Sequence, residues 1–430
     1  MKRKEWDYLL SWKISKTRKP LIVRGARQVG KTWLLREFGK KQYEQMAYLN
    51  FESSAALKDL FQQDFNIERI LLGIQIETGI KVEPENTLIV LDEIQEAPKA
   101  LTSLKYFREN APEYHIVSAG SLLGVALNRE TSFPVGKVDF LDLYPLTYPE
   151  FLEAMGEKQL VELLEKEDWH LIKSFNAKYK QLLRQYFYIG GMPEVVFSFS
   201  QNKDFTEARD IQRTILAAYE QDFSKHAPNS IVPRIRMLWN SIPAQLAKEN
   251  KKFIYGALRK GARAKDYELA LTWLKDCGLI HQVFNVAKPA IPLKAYEDHK
   301  SFKLFIVDVG LLSAMTNLDA RTLLVGNSIF QEFKGSLTEQ YVLQQLAVQK
   351  NTDIYYWSSE KARTEIDFLL QISGQVIPLE VKAEENLQAK SLRFFSKTYN
   401  PPKAIRASMS DYREESWMYN IPLYAISSIQ

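Results

Sequence analysis

A run of eight residues near the start of the sequence, Gly-Ala-Arg-Gln-Val-Gly-Lys-Thr at 25–32, matches the pattern G-x-x-x-x-G-K-[ST] in full. Glycines at these positions let the backbone curl so that successive N–H groups point at one phosphate, and the dipole of a following helix favours that negative charge. Lys31 would reach the terminal phosphates, and the hydroxyl of Thr32 would join the ligands of a Mg²⁺ ion. The predicted cofactor-binding residues are Gly25, Ala26, Arg27, Gln28, Val29, Gly30, Lys31 and Thr32.

Two acidic residues, Asp92 and Glu93, follow directly after the apolar run at 88–91. A fully apolar run is typical of a strand covered on both faces of a parallel sheet, and such sheets bind ligands at the carboxyl ends of their strands. We expect Asp92 to anchor Mg²⁺ and Glu93 to act as general base for the water that attacks the γ-phosphate. Because the acids come in tandem, the pattern favours water over a phosphoryl-accepting substrate. Lys31 and Glu93 are therefore the predicted catalytic residues of a hydrolase.

A third strand is predicted over residues 115–121, beside the other two. Ser118 and Ser121 at its end are candidates for sensing the γ-phosphate, although a hydroxyl that caps the following helix explains them equally well. Arg129 and Lys137 lie in the right part of the sequence to reach the nucleotide of a neighbouring copy. No local pattern singles out either cation.

A second group of acidic residues lies near the end of the chain. Residues 364–372 and 375–383 flank Ser373-Gly374 and predict a β-hairpin with a two-residue turn. In that register Asp367 lies opposite Glu380 and Glu365 lies opposite Lys382, and strand alternation puts all four on one face. Two opposed carboxylates repel each other unless a cation or a proton lies between them. The alternative is an amphipathic hairpin with a charged outer face, where Glu365 and Lys382 form a surface ion pair of little value.

The elements that must position these residues change in character along the chain. Up to about residue 150, short apolar runs alternate with amphipathic stretches, which is typical of a parallel α/β sheet. Helical patterns dominate from 151 to 240 and are interrupted by the turn signal Gly-Gly-Met-Pro at 190–193. The tail from about 328 opens with a predicted helix and continues into the hairpin.

The stretch from 241 to 310 fits a winged helix. Helices are predicted at 241–248, 253–258 and 264–277, with Gly278 as the stop, and strands at 280–286 and 302–307 form the wing. Basic residues before the third helix favour DNA contact, whereas acidic residues on the helix favour a protein-binding or lid role. The basic residues are Arg259, Lys260, Arg263 and Lys265, and the acidic residues are Asp266, Glu268 and Asp276.

Composition narrows the class of protein. A chain of 430 residues fits two to four domains, each with its own core. The single cysteine, Cys277, excludes a disulfide framework and a thiolate zinc site. No apolar run approaches the ~20 residues that span a bilayer, and no apolar core follows the basic N-terminus, so we expect a soluble cytoplasmic protein without membrane contact. The net charge is only +5, although residues 1–41 alone carry +10.

Four segments resemble the archaeal-type ATPases of the AAA+-like P-loop class. They are Gly25–Thr32, Leu91-Asp-Glu-Ile-Gln-Glu-Ala-Pro, Ala119-Gly-Ser-Leu-Leu and Tyr144-Pro-Leu-Thr-Tyr-Pro-Glu-Phe. In that family a C-terminal domain of unknown function follows the ATPase, and Tyr188-Ile-Gly-Gly-Met-Pro-Glu resembles its opening motif. The resemblance implies binding of ATP and Mg²⁺ at the loop and at Asp92, and hydrolysis through Glu93. The family often has an arginine where this chain has Lys137.

The hairpin resembles the PD-(D/E)XK nuclease superfamily through Asp367 and Glu380-Val381-Lys382. That resemblance implies that the acids hold Mg²⁺ and that the lysine positions or activates water for phosphodiester hydrolysis. Glu339, in the predicted helix, fits the place of an upstream acid. The implied catalytic residues are Asp367, Glu380 and Lys382. The predicted metal ligands of the ATPase domain are therefore Thr32 and Asp92. Those of the nuclease-like domain are Glu339, Asp367 and Glu380.

Together these features predict an α/β protein of three domains. A P-loop NTPase domain with a parallel sheet covers 1–150, a helical and winged-helix-like region covers 151–320, and an α/β nuclease-like domain covers 321–430. The leading hypothesis is an ATPase coupled to a nuclease-like module, with DNA or RNA as partner. The alternative is an ATP-dependent switch whose catalytically inactive C-terminal domain binds a protein partner, with the 151–310 region as a second protein-binding surface.

Overall fold

The computed structural model describes residues 1–121, 134–248, 251–325, 331–359, 364–385 and 388–429. The chain forms two compact units. The N-terminal unit comprises Lys2–Tyr144 together with Asp276–Leu279, and the C-terminal unit comprises Met1, Pro145–Lys275 and Ile280–Gln430. Among the described residues, no helix is both long and apolar enough to cross a membrane.

A five-stranded parallel sheet organises the N-terminal unit, in the order β2-β3-β4-β1-β5. Its strands are β1 Leu21–Arg24, β2 Gln45–Asn50, β3 Thr87–Asp92, β4 His115–Gly120 and β5 Asp139–Asp142. Its described helices are α1 Glu5–Ile14, α2 Lys31–Gln42, α3 Ala55–Gln62, α4 Ile67–Thr78 and α5 Pro98–Asn110. Every residue of β3 and β4 is buried, as expected for interior strands of a sheet covered on both faces. The predicted parallel α/β sheet is confirmed.

Local sequence signals set the ends of the helices in this unit. The side chains of Ser54 and Asn66 accept hydrogen bonds from the first turns of α3 and α4, and Gly79 ends α4 in the left-handed conformation. The buried faces of α3, α4 and α5 pack with β2 and β3 into one apolar core that includes Phe51 and Phe61. This core fixes the carboxyl end of β3, where Asp92 lies.

Helices make up the first half of the C-terminal unit, as predicted. They are α6 Tyr148–Ala154, α7 Lys158–Glu165, α8 Trp169–Ser174, α9 Asn176–Ile189, α10 Pro193–Asn202, α11 Phe205–His226, α12 Val232–Leu246 and α13 Ala264–Asp276. Gly190, with φ +72°, ends α9, and Pro193 begins α10, so the predicted turn at 190–193 is confirmed. Four further helices follow: α14 Val309–Met315, α15 Ala320–Val325, α16 Gln331–Leu346 and α17 Lys390–Tyr399.

An eight-stranded mixed sheet forms the rest of this unit, in the order β12-β13-β11-β10-β9-β8-β6-β7. Its strands are β6 Ile280–Val286, β7 Glu297–Ile306, β8 Thr352–Ser359, β9 Thr364–Ile372, β10 Gln375–Val381, β11 Ile405–Ser408, β12 Arg413–Glu414 and β13 Tyr419–Pro422. The border predicted at residue 320 lies inside this unit. The division into three domains stays a prediction.

The predicted winged helix differs from the structure in two respects. β6 and β7 pair in antiparallel fashion, but β6 also pairs with β8, so the ribbon belongs to the large sheet. The helix predicted at 253–258 was wrong, because only Tyr255–Ala257 form a 3₁₀ turn. Ile254 is extended, with φ −122° and ψ 109°, and hydrogen bonds to distant residues hold it there: the N–H of Phe253 donates to the carbonyl of Phe302, and the N–H of Ile254 donates to Oε1 of Gln245.

The hairpin of β9 and β10 has the predicted register. Ile372 pairs with Gln375, Leu370 with Ile377 and Phe368 with Leu379. Ser373 and Gly374 have φ values of +48° and +74°, which a two-residue type I′ turn requires. Asp367 and Glu380 flank the last of these pairs, at the point where the pairing of β9 with β8 is irregular.

Candidate functional sites

The loop at 25–30 joins the end of β1 to the start of α2, which is the predicted strand–loop–helix arrangement. Gly25 has φ +148°, and a Cβ atom there would lie 2.1 Å from the carbonyl oxygen of Leu143. Gly278 also packs on this loop, since its Cβ would lie 3.2 Å from the nitrogen of Ala26. Both positions hold the loop backbone close to its neighbours, and only glycine fits at Gly25 without displacing them.

Lys31 is the first residue of α2, and its side chain is folded back over the loop. Its Nζ donates hydrogen bonds of 3.0 Å and 2.8 Å to the carbonyl oxygens of Gly25 and Ala26. Burial lowers the pKa of Lys31 to about 8, against the opposing charges of Glu93 and Asp92. An anion in the loop would give this ammonium group a direct charge partner and favour its protonated form.

Asp92 lies at the carboxyl end of β3 and is buried. Its Oδ2 accepts hydrogen bonds from the hydroxyl of Thr32 at 2.8 Å and from the hydroxyl of Tyr48 at 2.6 Å. Hydroxyl and carboxylate oxygens are the donors that Mg²⁺ prefers, so the two predicted metal residues fit this ion and are brought together. Tyr48, on β2, was missed by the sequence analysis because no motif surrounds it.

Glu93 follows β3 in the left-handed conformation, with φ +52°. Such a backbone costs of order 1 kcal/mol or more for a residue other than glycine and is typical of functional positions. The Oε2 of Glu93 accepts a hydrogen bond of 2.6 Å from Nε2 of Gln95, and its N–H donates to Oδ1 of Asp92 at 3.1 Å. These contacts hold the predicted base next to the predicted metal anchor. Gln95 is a second residue that the sequence did not single out.

The remaining candidates of the N-terminal unit have local partners. The hydroxyl of Ser118 is buried in the sheet and donates to the carbonyl of Leu21 at 3.3 Å, while Ser121 is buried just after β4. Lys137 forms a half-exposed ion pair of 2.9 Å with Glu109. Arg129 lies outside the described residues.

In the C-terminal unit, a cavity of about 900 Å³ brings the predicted nuclease-like residues together. Glu339 comes from α16, Asp367 from β9, and Glu380 and Lys382 from β10 and the residue after it. Most of the other lining residues are polar: Lys252, Asn285, Asp298, Ser301, Tyr356, Ser358, Ser359, Thr364, Glu365 and Ser391. The charged face of the hairpin therefore lines a cavity rather than an open surface.

The ion pairs within this cavity differ from the expected pairing of Glu365 with Lys382. Lys382 contacts Oε1 of Glu380 at 2.9 Å, and Glu365 instead contacts Nζ of Lys303 at 2.5 Å. The Oδ2 of Asp367 accepts a hydrogen bond of 2.7 Å from the N–H of Val381. Because Lys303 lies on a strand packed beside the hairpin in space, local pairing alone could not identify it.

Lys303 on β7 has no exposed surface, and Lys251 is partly buried. Lys251 forms an ion pair with Oε1 of Glu339, and Lys303 lies 3.8 Å from Oε2 of the same residue. Burial opposes the charge on Lys303, but Glu365, Glu339 and Asp367 together raise its pKa above the usual value. Burial likewise opposes ionisation of Glu339, yet Lys251 and Lys303 lower its pKa.

Asp367 behaves in the opposite way, since burial and the charge of Glu339 raise its pKa to about 7. Across the described residues, no group of three or more His, Cys, Asp or Glu side chains is arranged to hold a metal ion. Glu339 has Lys251 and Lys303 as charge partners, while Asp367 and Glu380 come from the hairpin. Metal binding by these three acids stays a prediction.

Three family models match successive parts of the chain. A model described as an AAA domain matches residues 17–152, and two domains of unknown function, DUF8612 and DUF4143, match residues 180–322 and 334–426. The first match covers the loop, Asp92 and Glu93. Residues 17–152 are therefore similar to AAA domains, and the chain has a P-loop NTPase-like parallel sheet followed by a helical region and a mixed sheet.

Two solved structures are similar to the chain at 14% identity. A Walker-type ATPase of Pyrococcus abyssi, PABY2304, has a TM-score of 0.45 over 73% of this chain and 95% of its own. The ORC1 protein of Aeropyrum pernix, in complex with DNA, has a TM-score of 0.29 over 74% of this chain and 91% of its own. No curated protein matches the chain.

Proposed function

We propose that this protein binds ATP with Mg²⁺ at residues 25–32 and Asp92 and hydrolyses it with Glu93 as general base. The hydrogen bond between Thr32 and Asp92 carries the proposal, because it joins the phosphate loop to the acid at the end of β3. A glycine-rich turn that occurs by chance would not require Thr32 and Asp92 to lie next to each other. The AAA domain match covers both.

Each residue has a distinct task in this mechanism. The backbone N–H groups of the loop and the start of α2 bind the phosphates, and Lys31 exchanges its carbonyl acceptors for phosphate oxygens. Thr32 and Asp92 would hold Mg²⁺, which supplies positive charge to the phosphate oxygens when bound. Glu93, positioned by Gln95, accepts the proton of the attacking water.

ATP turnover by the purified chain, with and without DNA, tests the proposal. Lys31→Ala should lose both nucleotide binding and turnover. Glu93→Gln should bind ATP but turn it over about 10²- to 10⁴-fold more slowly, the usual contribution of a general base. Lys40→Ala, at an exposed lysine of the same helix, is the matched control and should leave both unchanged. Unchanged turnover in Lys31→Ala and Glu93→Gln would remove the proposal.

We propose further that the C-terminal cavity acts on the phosphodiester bonds of DNA or RNA. The supporting observation is the convergence of Asp367, Glu380 and Lys382 on one polar cavity. Asp367 and Glu380 would hold Mg²⁺, and Lys382, held by Glu380, would position the attacking water.

Mg²⁺- or Mn²⁺-dependent nicking of DNA and RNA tests this second proposal. The wild type should cut at least one of them, and Asp367→Ala should not. If neither protein cuts, the domain binds or supports rather than cleaves. ATP binding without turnover, together with no salt-dependent affinity for DNA, would instead support the ATP-dependent switch that controls a protein partner.

A further inference from the structure

Nine charged side chains line the C-terminal cavity or pair with a side chain that lines it, and four of them are lysines. The carboxylates are Asp298, Glu339, Glu365, Asp367 and Glu380, and the ammonium groups belong to Lys251, Lys252, Lys303 and Lys382. Lys303 differs from the other three lysines because it has no exposed surface and projects from the sheet itself. It therefore lies behind the wall of the cavity, as the partner of two carboxylates that line it.

Most carboxylate oxygens here already have partners. Glu339 has Lys251 and Lys303, and Glu365 has Lys303. Two buried carboxylate oxygens, Oε2 of Glu339 and Oε2 of Glu380, have no hydrogen-bond partner among the described residues. Oε2 of Glu339 still lies 3.8 Å from Lys303, whereas the ion pair of Glu380 with Lys382 uses its other oxygen. Burying a carboxylate oxygen without a hydrogen-bond partner costs free energy, so Oε2 of Glu380 is a candidate ligand for a cation.

The position of that cation follows from the hairpin. Glu380 lies one position beyond the last paired residues, Phe368 and Leu379, and so faces Asp367 across the two strands. Oδ2 of Asp367 accepts a hydrogen bond from the N–H of Val381, the residue after Glu380, so the two acids lie close together. Both line the same cavity, where a cation that contacts Oε2 of Glu380 would also meet Asp367.

We propose that Lys303 is the resident cation of this cavity, which neutralises Glu339 and Glu365, so that Asp367 and Glu380 bind one divalent ion and not two. This inference rests on the proposed metal-dependent role of the C-terminal site. With all nine groups ionised, the five carboxylates and four lysines leave one net negative charge. One divalent ion reverses that charge, and a second would be repelled by the lysines already present.

Counting bound Mn²⁺ tests the inference without reference to activity. The nucleotide-free full chain is titrated with Mn²⁺ by calorimetry and by electron paramagnetic resonance of the free ion. Sites that disappear in Asp367→Asn/Glu380→Gln are assigned to this cavity, which separates them from any ion held near Asp92. The wild type should lose one site in this comparison.

Changes at Lys303 should alter that count. Lys303→Met leaves Glu339 and Glu365 without their shared lysine and should let them bind a second Mn²⁺ ion, whereas Lys300→Met, at an exposed lysine of the same strand, should leave one site. Lys303→Met/Glu365→Gln removes the lysine together with one of these two carboxylates and should return the count to one. The double variant leaves the buried Glu339 with Lys251 as its partner, so it keeps the test usable if Lys303→Met does not fold.

The outcomes separate this inference from the proposed function beneath it. Two Mn²⁺ ions in the wild-type cavity, or one in a folded Lys303→Met, would overturn the role of Lys303 while leaving metal binding intact. No Mn²⁺ site that depends on Asp367 and Glu380 would overturn the metal-dependent function itself.

Discussion

The hydroxyl of Thr32 donates a hydrogen bond of 2.8 Å to Oδ2 of Asp92, across 60 residues of sequence. The same oxygen accepts a second hydrogen bond from Tyr48 on the neighbouring strand. The edge strand β2, the interior strand β3 and the start of α2 therefore set the position of one carboxylate before any nucleotide binds. Preorganisation of this kind lowers the entropy that the bound state must otherwise lose.

Tyr48→Phe should weaken the use of Mg²⁺ without affecting the loop. One hydrogen bond to a charged group contributes about 1.5–3 kcal/mol, so the Mg²⁺ concentration for half-maximal ATP turnover should rise roughly 10-fold or more. Nucleotide affinity measured in the presence of EDTA should not change. Tyr106→Phe, at a ring that stacks on Phe65, is the control and should keep the wild-type Mg²⁺ dependence. An unchanged Mg²⁺ dependence in Tyr48→Phe would show that Thr32 alone positions Asp92.

Gly25→Ala should disrupt the phosphate loop. A methyl group would lie 2.1 Å from the carbonyl oxygen of Leu143, and the φ of +148° is one that alanine rarely adopts. We expect ATP affinity to fall more than 10-fold and the melting temperature to fall by several degrees. Gly335→Ala makes the same substitution in helix α16, where no atom lies within 4 Å, and should be neutral or slightly stabilising. Equal affinities for ATP in Gly25→Ala and the wild type would contradict the close approach of Leu143.

Asp308→Asn should destabilise the C-terminal unit. The buried carboxylate of Asp308 accepts hydrogen bonds from the N–H groups of Gly191 and Leu311 and from the side chain of Gln344. An asparagine has one acceptor oxygen and would turn an N–H₂ group toward at least one donor, which should cost about 1–3 kcal/mol of unfolding free energy.

Urea unfolding followed by far-UV circular dichroism measures this loss. Asp319→Asn is the control, because Asp319 caps its helix at an exposed position, where a cap asparagine is tolerated. The two variants should differ by more than 1 kcal/mol. Equal stability would mean that Gly190-Gly191 and Asp308 are held by packing alone.

The sequence predicts a contact correctly where both partners belong to one local pattern. The P-loop motif and the hairpin register both follow from spacing within a few residues, and the structure confirms the strand–loop–helix and the pairing of Phe368 with Leu379. It failed where a partner comes from a distant element. Tyr48 and Lys303 each lie in a strand without a motif. Tyr48 contacts Asp92 from the adjacent strand, whereas Lys303 contacts Glu365 from β7, which is three positions from β9 in the sheet. The one available signal for Lys303 was its place in the otherwise apolar run 302–307.

His115 should make the N-terminal unit less stable in acid. Burial, with the charges of Arg18 and Lys13, lowers the pKa of His115 to about 4 from its usual 6.5. Nδ1 of His115 also forms a hydrogen bond of 2.6 Å with the hydroxyl of Tyr43. A neutral imidazole is thus the form that the folded state keeps, while the unfolded chain takes up a proton below about pH 6.5.

Because the unfolded chain takes up this proton more readily than the folded protein, lowering the pH decreases the free energy of unfolding. Because the folded pKa is depressed, the stabilising contribution of His115 is fully present above pH 6.5 and is lost as the pH falls toward 4. Urea unfolding of wild type and His115→Gln at intervals from pH 7 to pH 4 measures it. The wild type should be more stable at pH 7, and its advantage should shrink steadily as the pH is lowered. Glutamine does not titrate, so other groups cancel in the comparison, and a constant difference across the range would show that His115 is protonated in the folded protein.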